Sequence, residues 1–113
     1  MSNRTAYVGD AYPPALFQIS DEAGVLNLSG TTITVKWEGI SHRFSGPGLA
    51  IYPPINDADG IHKWNCQYNF AAGDLASPDV YVPFVIVIFP GGPPPQQETF
   101  PDLDTLTVLA APL

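Results

Sequence analysis

At 113 residues the chain has room for one domain, and a hydrophobic content of 45% supplies a core. Charged residues are 13%, about half the usual share in globular domains, and the net charge of −7, from 4 Lys+Arg against 11 Asp+Glu, gives phosphate backbones and anionic membranes nothing to bind, which excludes nucleic acid and membrane as partners. The single cysteine, Cys66, excludes an internal disulfide, and the N-terminal residues lack the apolar core of a secretory signal, so the expectation is synthesis in a reducing cytoplasm.

Thirteen prolines and ten glycines run along the whole length and argue against long helices. Residues 1–11 are expected as an extended N-terminal arm, ahead of a single domain over 12–113. Residues 15–20 read as a first strand, ended by the turn Asp21-Glu22-Ala23-Gly24. Residues 31–38 alternate cleanly, with Ile33, Val35 and Trp37 on one face and Thr32, Thr34 and Lys36 on the other. Residues 43–44 and 49–52 are shorter candidates around the turn Gly46-Pro47-Gly48. In 62–70, Trp64, Cys66, Tyr68 and Phe70 point inward and Lys63, Asn65, Gln67 and Asn69 outward. Residues 71–76 admit one helical turn at most, and read as a corner in which Asp74 caps backbone N–H groups. Residues 80–89 are apolar on both faces, with Tyr81, Val85, Val87 and Phe89 on one and Val82, Phe84, Ile86 and Ile88 on the other. Residues 97–100 and 106–110 complete the set. Roughly seven short strands at spacings of about 8–12 residues predict an all-β, antiparallel β-sandwich.

Nothing in the sequence assembles a catalytic set, and the expectation is a protein that is not an enzyme and carries no cofactor. His42 and His62 lie far apart in or beside strands, and no Gly-x-Ser-x-Gly elbow is present. Cys66 falls on an apolar strand face, the place of a small buried hydrophobe. Asn56-Asp57-Ala58-Asp59-Gly60 has the look of a calcium loop, but the full pattern needs acids where Ile55 and Cys66 stand, so a polar hairpin turn is the expectation and no metal site is assigned. Asp102 and Asp104 form a second acidic pair. An aromatic sugar platform would draw on Trp37, Trp64, Tyr52, Tyr68 and Tyr81, most of which share faces with core residues.

A sandwich strand with one wet face alternates, and residues 80–89 do not. The second apolar face is covered either by the N-terminal arm or the proline-rich loop of the same chain, or by another subunit. On the second alternative the contact residues are Val82, Phe84, Ile86 and Ile88, with Pro93, Pro94, Pro95, Gln96 and Gln97 of the stiff, uncharged loop and Tyr7 and Tyr12 of the arm.

The turn motifs follow an order. Tyr12-Pro13-Pro14 and Phe17 precede Asp21-x-x-Gly24, then Leu26-Asn27-Leu28-Ser29-Gly30 leads into the alternating strand that ends near Trp37. Gly60-Ile61-His62-Lys63-Trp64, Gly73-Asp74-Leu75, Pro78, Tyr81 and Thr99-Phe100-Pro101 follow, before a closing Leu-Thr-Val strand. Over roughly residues 12–109 this resembles the N-terminal Ig-like domain of phage baseplate upper proteins and related tailed-phage virion proteins. The resemblance implies an Ig-like β-sandwich and a structural virion protein of the tail or baseplate region, made in the host cytoplasm. It would work through contacts with other phage virion proteins, among them multiple copies of itself. A head-decoration or head–tail connector accessory protein, or a carbohydrate- or receptor-binding β-sandwich module, are the alternatives.

Overall fold

Frequent proline and glycine cut the chain into short extended pieces, and in the computed structural model those pieces pair into two facing sheets. The structure describes residues 4–10, 12–91, 96–101 and 105–110, and contains no helix among them. In chain order the strands are β1 (Arg4–Tyr7), β2 (Ala15–Phe17), β3 (Ser20–Asp21), β4 (Gly24–Val25), β5 (Thr32–Glu38), β6 (Arg43–Pro47), β7 (Leu49–Asn56), β8 (Lys63–Tyr68), β9 (Asp79–Phe89), β10 (Gln96–Pro101) and β11 (Leu106–Leu109).

The larger sheet has the order β1-β11-β9-β5-β6, with β10 beside the second half of β9. The smaller is β2-β8-β7, and β3-β4 is a separate hairpin. This is an Ig-like sandwich in which a parallel first strand extends the larger sheet beyond the last one. Two further marks of that fold are present. Trp37 on β5 is completely buried between the sheets, and the Tyr81 hydroxyl donates to the Ser77 carbonyl at 2.8 Å, the tyrosine corner.

The core follows from alternation. Ile33, Val35 and Trp37 of β5 stand beside Val87, Val85 and Pro83 of β9 on the inner face, and Phe17, Cys66 and Tyr68 close the space from the smaller sheet. Trp37 is the hub, with Phe70, Phe44, Tyr68 and Phe17 ring centroids 5.3, 5.7, 5.8 and 6.1 Å away. Each such pair contributes roughly 0.5–1.5 kcal/mol beyond area burial. Leu28 and Leu75 are buried at the core margins.

Several expectations change. The antiparallel sandwich contains one parallel pair, because residues 4–7 of the expected arm are β1, hydrogen-bonded in register with β11 from Arg4↔Leu106 to Tyr7↔Leu109. Residues 15–20 are not one strand. Pairing of β2 with β8 ends at Phe17↔Cys66, and the chain turns off into the β3–β4 hairpin. Residues 43–52 are not a simple hairpin either. β6 belongs to the larger sheet and β7 to the smaller, and the switch is made at Gly48, where a Cβ would stand 2.5 Å from Ile33 Cγ2. β7 continues to Asn56 through a cis Tyr52–Pro53 bond. The corner at 71–76 is a turn without a helix, and Asp74 Oδ2 accepts the Ala71 N–H at 2.8 Å and the Tyr68 hydroxyl at 2.6 Å, as a cap should.

β10 and β11 are successive parts of one line. Both run antiparallel to β9 along the same edge, with Pro101↔Phe84 and Leu106↔Tyr81 as their facing pairs.

Candidate functional site

The exposed face of the larger sheet gathers most of the residues singled out in the sequence. Residues paired across a ladder share a face, so the register places Val82 beside Glu38, Phe84 between Lys36 and Pro101, Ile86 between Thr34 and Thr99, and Ile88 between Thr32 and Gln97. Val82, Phe84, Ile86 and Ile88 are half-buried while Val85 and Val87 between them are fully buried. Val80, 41% exposed, extends the row toward the start of β9. From Val80 to Ile88 the row is about 27 Å long at ~3.4 Å per residue. Polar and β-branched side chains frame it, mainly Thr32, Thr34 and Lys36 on one side and Gln97 and Thr99 on the other.

Tyr7 belongs to the same face. It pairs with Leu109, and Thr5 pairs with Thr107, which in turn faces Val80. Tyr7 and Leu109 are 43% and 42% exposed, and they prolong the apolar row past the first residue of β9. Residues 4–7 therefore form an edge of the sheet and do not cover its face. Gln96 and Gln97 are exposed on β10, where Gln96 faces Phe89. Pro93, Pro94 and Pro95, and the pair Asp102 and Asp104, lie outside the described residues.

Tyr12 is elsewhere. Its ring meets Phe70 edge-on at 5.4 Å, and it lines a cleft of about 650 Å³ with Val8, Phe70 and Leu75 at one end of the sandwich. The grouping of Tyr12 with the strand-face residues is thus not what the fold produces, because the chain crosses from one sheet to the other between β1 and β2.

The two histidines each meet an aspartate. Asp79 gathers the turn between β5 and β6, accepting the N–H groups of Ser41 at 2.8 Å, His42 at 2.9 Å and Ile40 at 3.2 Å, with His42 Nδ1 at 3.3 Å. Its side chain is 6% exposed, and those donors, the Ser41 N–H foremost, hold its carboxyl well below the usual carboxylate range. His62 Nδ1 bonds Asp59 Oδ2 in the β7–β8 turn. Asp59 is likewise held low, first by the His62 N–H, then by the His62 ring and the Ile61 N–H. Among the described residues neither imidazole is hydrogen-bonded to a serine, threonine or cysteine. The Cys66 thiol is fully buried, and burial pushes it up to about 12.

Sequence reasoning missed two features. Asn65, expected to face outward, is completely buried. Its Oδ1 accepts the Ile19 N–H at 2.7 Å and its Nδ2 donates to the carbonyls of Ile19 and Leu26, both at 2.8 Å. Gln18 Oε1 accepts the Lys63 N–H at 2.8 Å. These two side-chain amides carry on the β2–β8 ladder where the backbones separate. The other missed feature is the meeting of Asp57, Asp59 and His62, whose donor atoms lie within 4.8 Å of one another. The Asp-x-Asp-x-x-His spacing was the only available signal.

The aromatic platform does not form as a group. Trp37, Tyr68 and Tyr81 are core residues, Trp64 stacks on His62, and Tyr52 is 62% exposed on β7.

Comparison with protein-family models, with curated proteins and with solved structures returned no match.

Proposed function

We propose that this domain is a non-catalytic assembly module, a structural virion protein of a tailed phage that works through subunit contacts made by the outer face of its larger sheet. One observation carries the reading. The central strand β9 presents an unbroken apolar row, from Val80 to Ile88, on the side of the sheet away from the core. A strand with one solvated face alternates apolar side chains inward with polar ones outward, and contiguous apolar surface marks interaction sites. The neighbouring Tyr7 and Leu109 enlarge the patch, and the low overall charge suits a surface buried among other subunits. The tail or baseplate region is the assembly proposed because the chain's turn motifs resemble those of baseplate upper proteins. The partners are then further copies of the chain and other virion proteins.

Sedimentation of the purified protein over a concentration series tests this, beside a variant with Phe84→Ser and Ile86→Ser. The expected result is discrete oligomers for the natural chain and weaker association for the variant, with the thermal transition retained. A chain that stays monomeric at every concentration, alone and with candidate virion partners, refutes the proposal. An unfolded variant refutes the use of this face, which would then belong to the core.

A further inference from the structure

The β7–β8 turn, well away from the sheet face, carries side chains that the assembly reading leaves idle. We propose that Asp57, Asp59 and His62 form a binding site for a borderline divalent transition metal such as Zn²⁺. The inference is independent of the proposed function.

The turn is closed by its own backbone, with the Asp57 N–H donating to the His62 carbonyl at 2.9 Å and the Gly60 N–H to the Asp57 carbonyl at 3.0 Å. Closure brings one nitrogen and two carboxylate donors within 4.8 Å of one another. Asp59 is oriented because Oδ1 is occupied by the Ile61 and His62 N–H groups, at 2.8 and 3.0 Å, which leaves Oδ2 facing His62 Nδ1. The imidazole plane is set from outside the turn, where it stacks on Trp64 at 5.2 Å with an interplanar angle of 4°.

Asp57 adds a carboxylate that no ion pair among the described residues occupies. It is half-buried, and among the described residues the ion pairs join His42 to Asp79, Arg43 to Glu38 and His62 to Asp59, so none compensates it. In the tautomer with its proton on Nδ1, His62 directs that proton at Asp59 Oδ2. A divalent cation would replace the proton, bond Nδ1 and one oxygen of each aspartate, and balance both negative charges. The displaced proton is matched by one taken up at Nε2 through solvent, so the imidazole remains a neutral ligand.

The donor set selects the metal. Zn²⁺ accepts imidazole nitrogen and carboxylate oxygen at about 2.0–2.2 Å, in a tetrahedron whose donors stand roughly 3.4 Å apart, so modest side-chain rotation suffices and water takes the fourth position. Ca²⁺ needs about six to eight oxygens, and the group offers two carboxylates and a nitrogen.

Chelator-treated protein titrated with ZnCl₂ by calorimetry should bind one equivalent. His62→Ala and Asp57→Asn should each weaken binding at least tenfold, the scale on which even outer-shell partners matter. His42→Ala, which touches only the other His–Asp pair, should leave it within about twofold. In the natural chain, Co²⁺ should broaden the NMR signals of His62 and Trp64 and spare those of His42, a reading that needs no variant to fold. Saturation absent up to millimolar zinc, equal affinity in the His62→Ala protein, or broadening centred on His42 would each overturn the proposal.

Discussion

Replacing Asn65 with alanine removes three hydrogen bonds from the interior. The Ile19 carbonyl keeps a donor, the Leu26 N–H at 3.0 Å. The Ile19 N–H and the Leu26 carbonyl lose the partners that Asn65 provided. An orphaned buried polar group costs about 1–3 kcal/mol. The Ile19 bond is fully buried and the Leu26 bond only partly so, which puts the N–H toward the upper end and the carbonyl toward the lower. The expected loss is about 3–4 kcal/mol, a large part of the ~5–15 kcal/mol typical of a domain. With an unfolding entropy of about 2.1 cal/mol/K per residue, that loss lowers the melting temperature of this 113-residue chain by about 13–17 °C. Urea and thermal unfolding, followed by the fluorescence of buried Trp37, measure both quantities. Asn69→Ala, at an exposed position four residues further along the chain, should cost no more than about 0.5 kcal/mol and serves as the control. If Asn65→Ala melts within about 3 °C of the natural chain, well under the shift worked out above, the side-chain amide is not replacing the lost ladder and the account of the β2–β8 divergence fails.

Two further outcomes are expected. Asp79 has a folded-state pKa below its unfolded value of about 3.9, so the stability it contributes is present above that pH and is lost as pH falls toward the folded value. Urea unfolding between about pH 5 and pH 2 should therefore show a shallower acid decline for Asp79→Asn than for the natural chain, and parallel declines would refute the assignment. Cys66 should not react with a thiol reagent at pH 8 in the folded state, because it is fully buried and its thiol is pushed up to about 12. Its labelling should follow global unfolding across a urea series, and fast labelling without urea would show that the core opens locally at β8.

The sequence by itself determined the class of the fold. Period-two alternation at residues 31–38, proline and glycine between short apolar runs, and no helical periodicity leave a β-sandwich as the consistent solution. The same local patterns located Trp37, Cys66, Tyr68 and Tyr81 in the core, Asp74 as a cap, and the second apolar face of β9, since each depends on residues a few positions apart. Only the tertiary structure decided which strands become neighbours, because ladder partners come from distant parts of the chain. It made residues 4–7 a parallel edge strand, sent β7 to the opposite sheet from β6, and separated Tyr12 from Tyr7. It also buried Asn65. On alternation alone Asn65 faces outward, but the segment from Ile19 to Leu26 folds over that position and needs its amide. The meeting of Asp57, Asp59 and His62 has the same origin: spacing lists the donors, and the closed hairpin turns them toward one point.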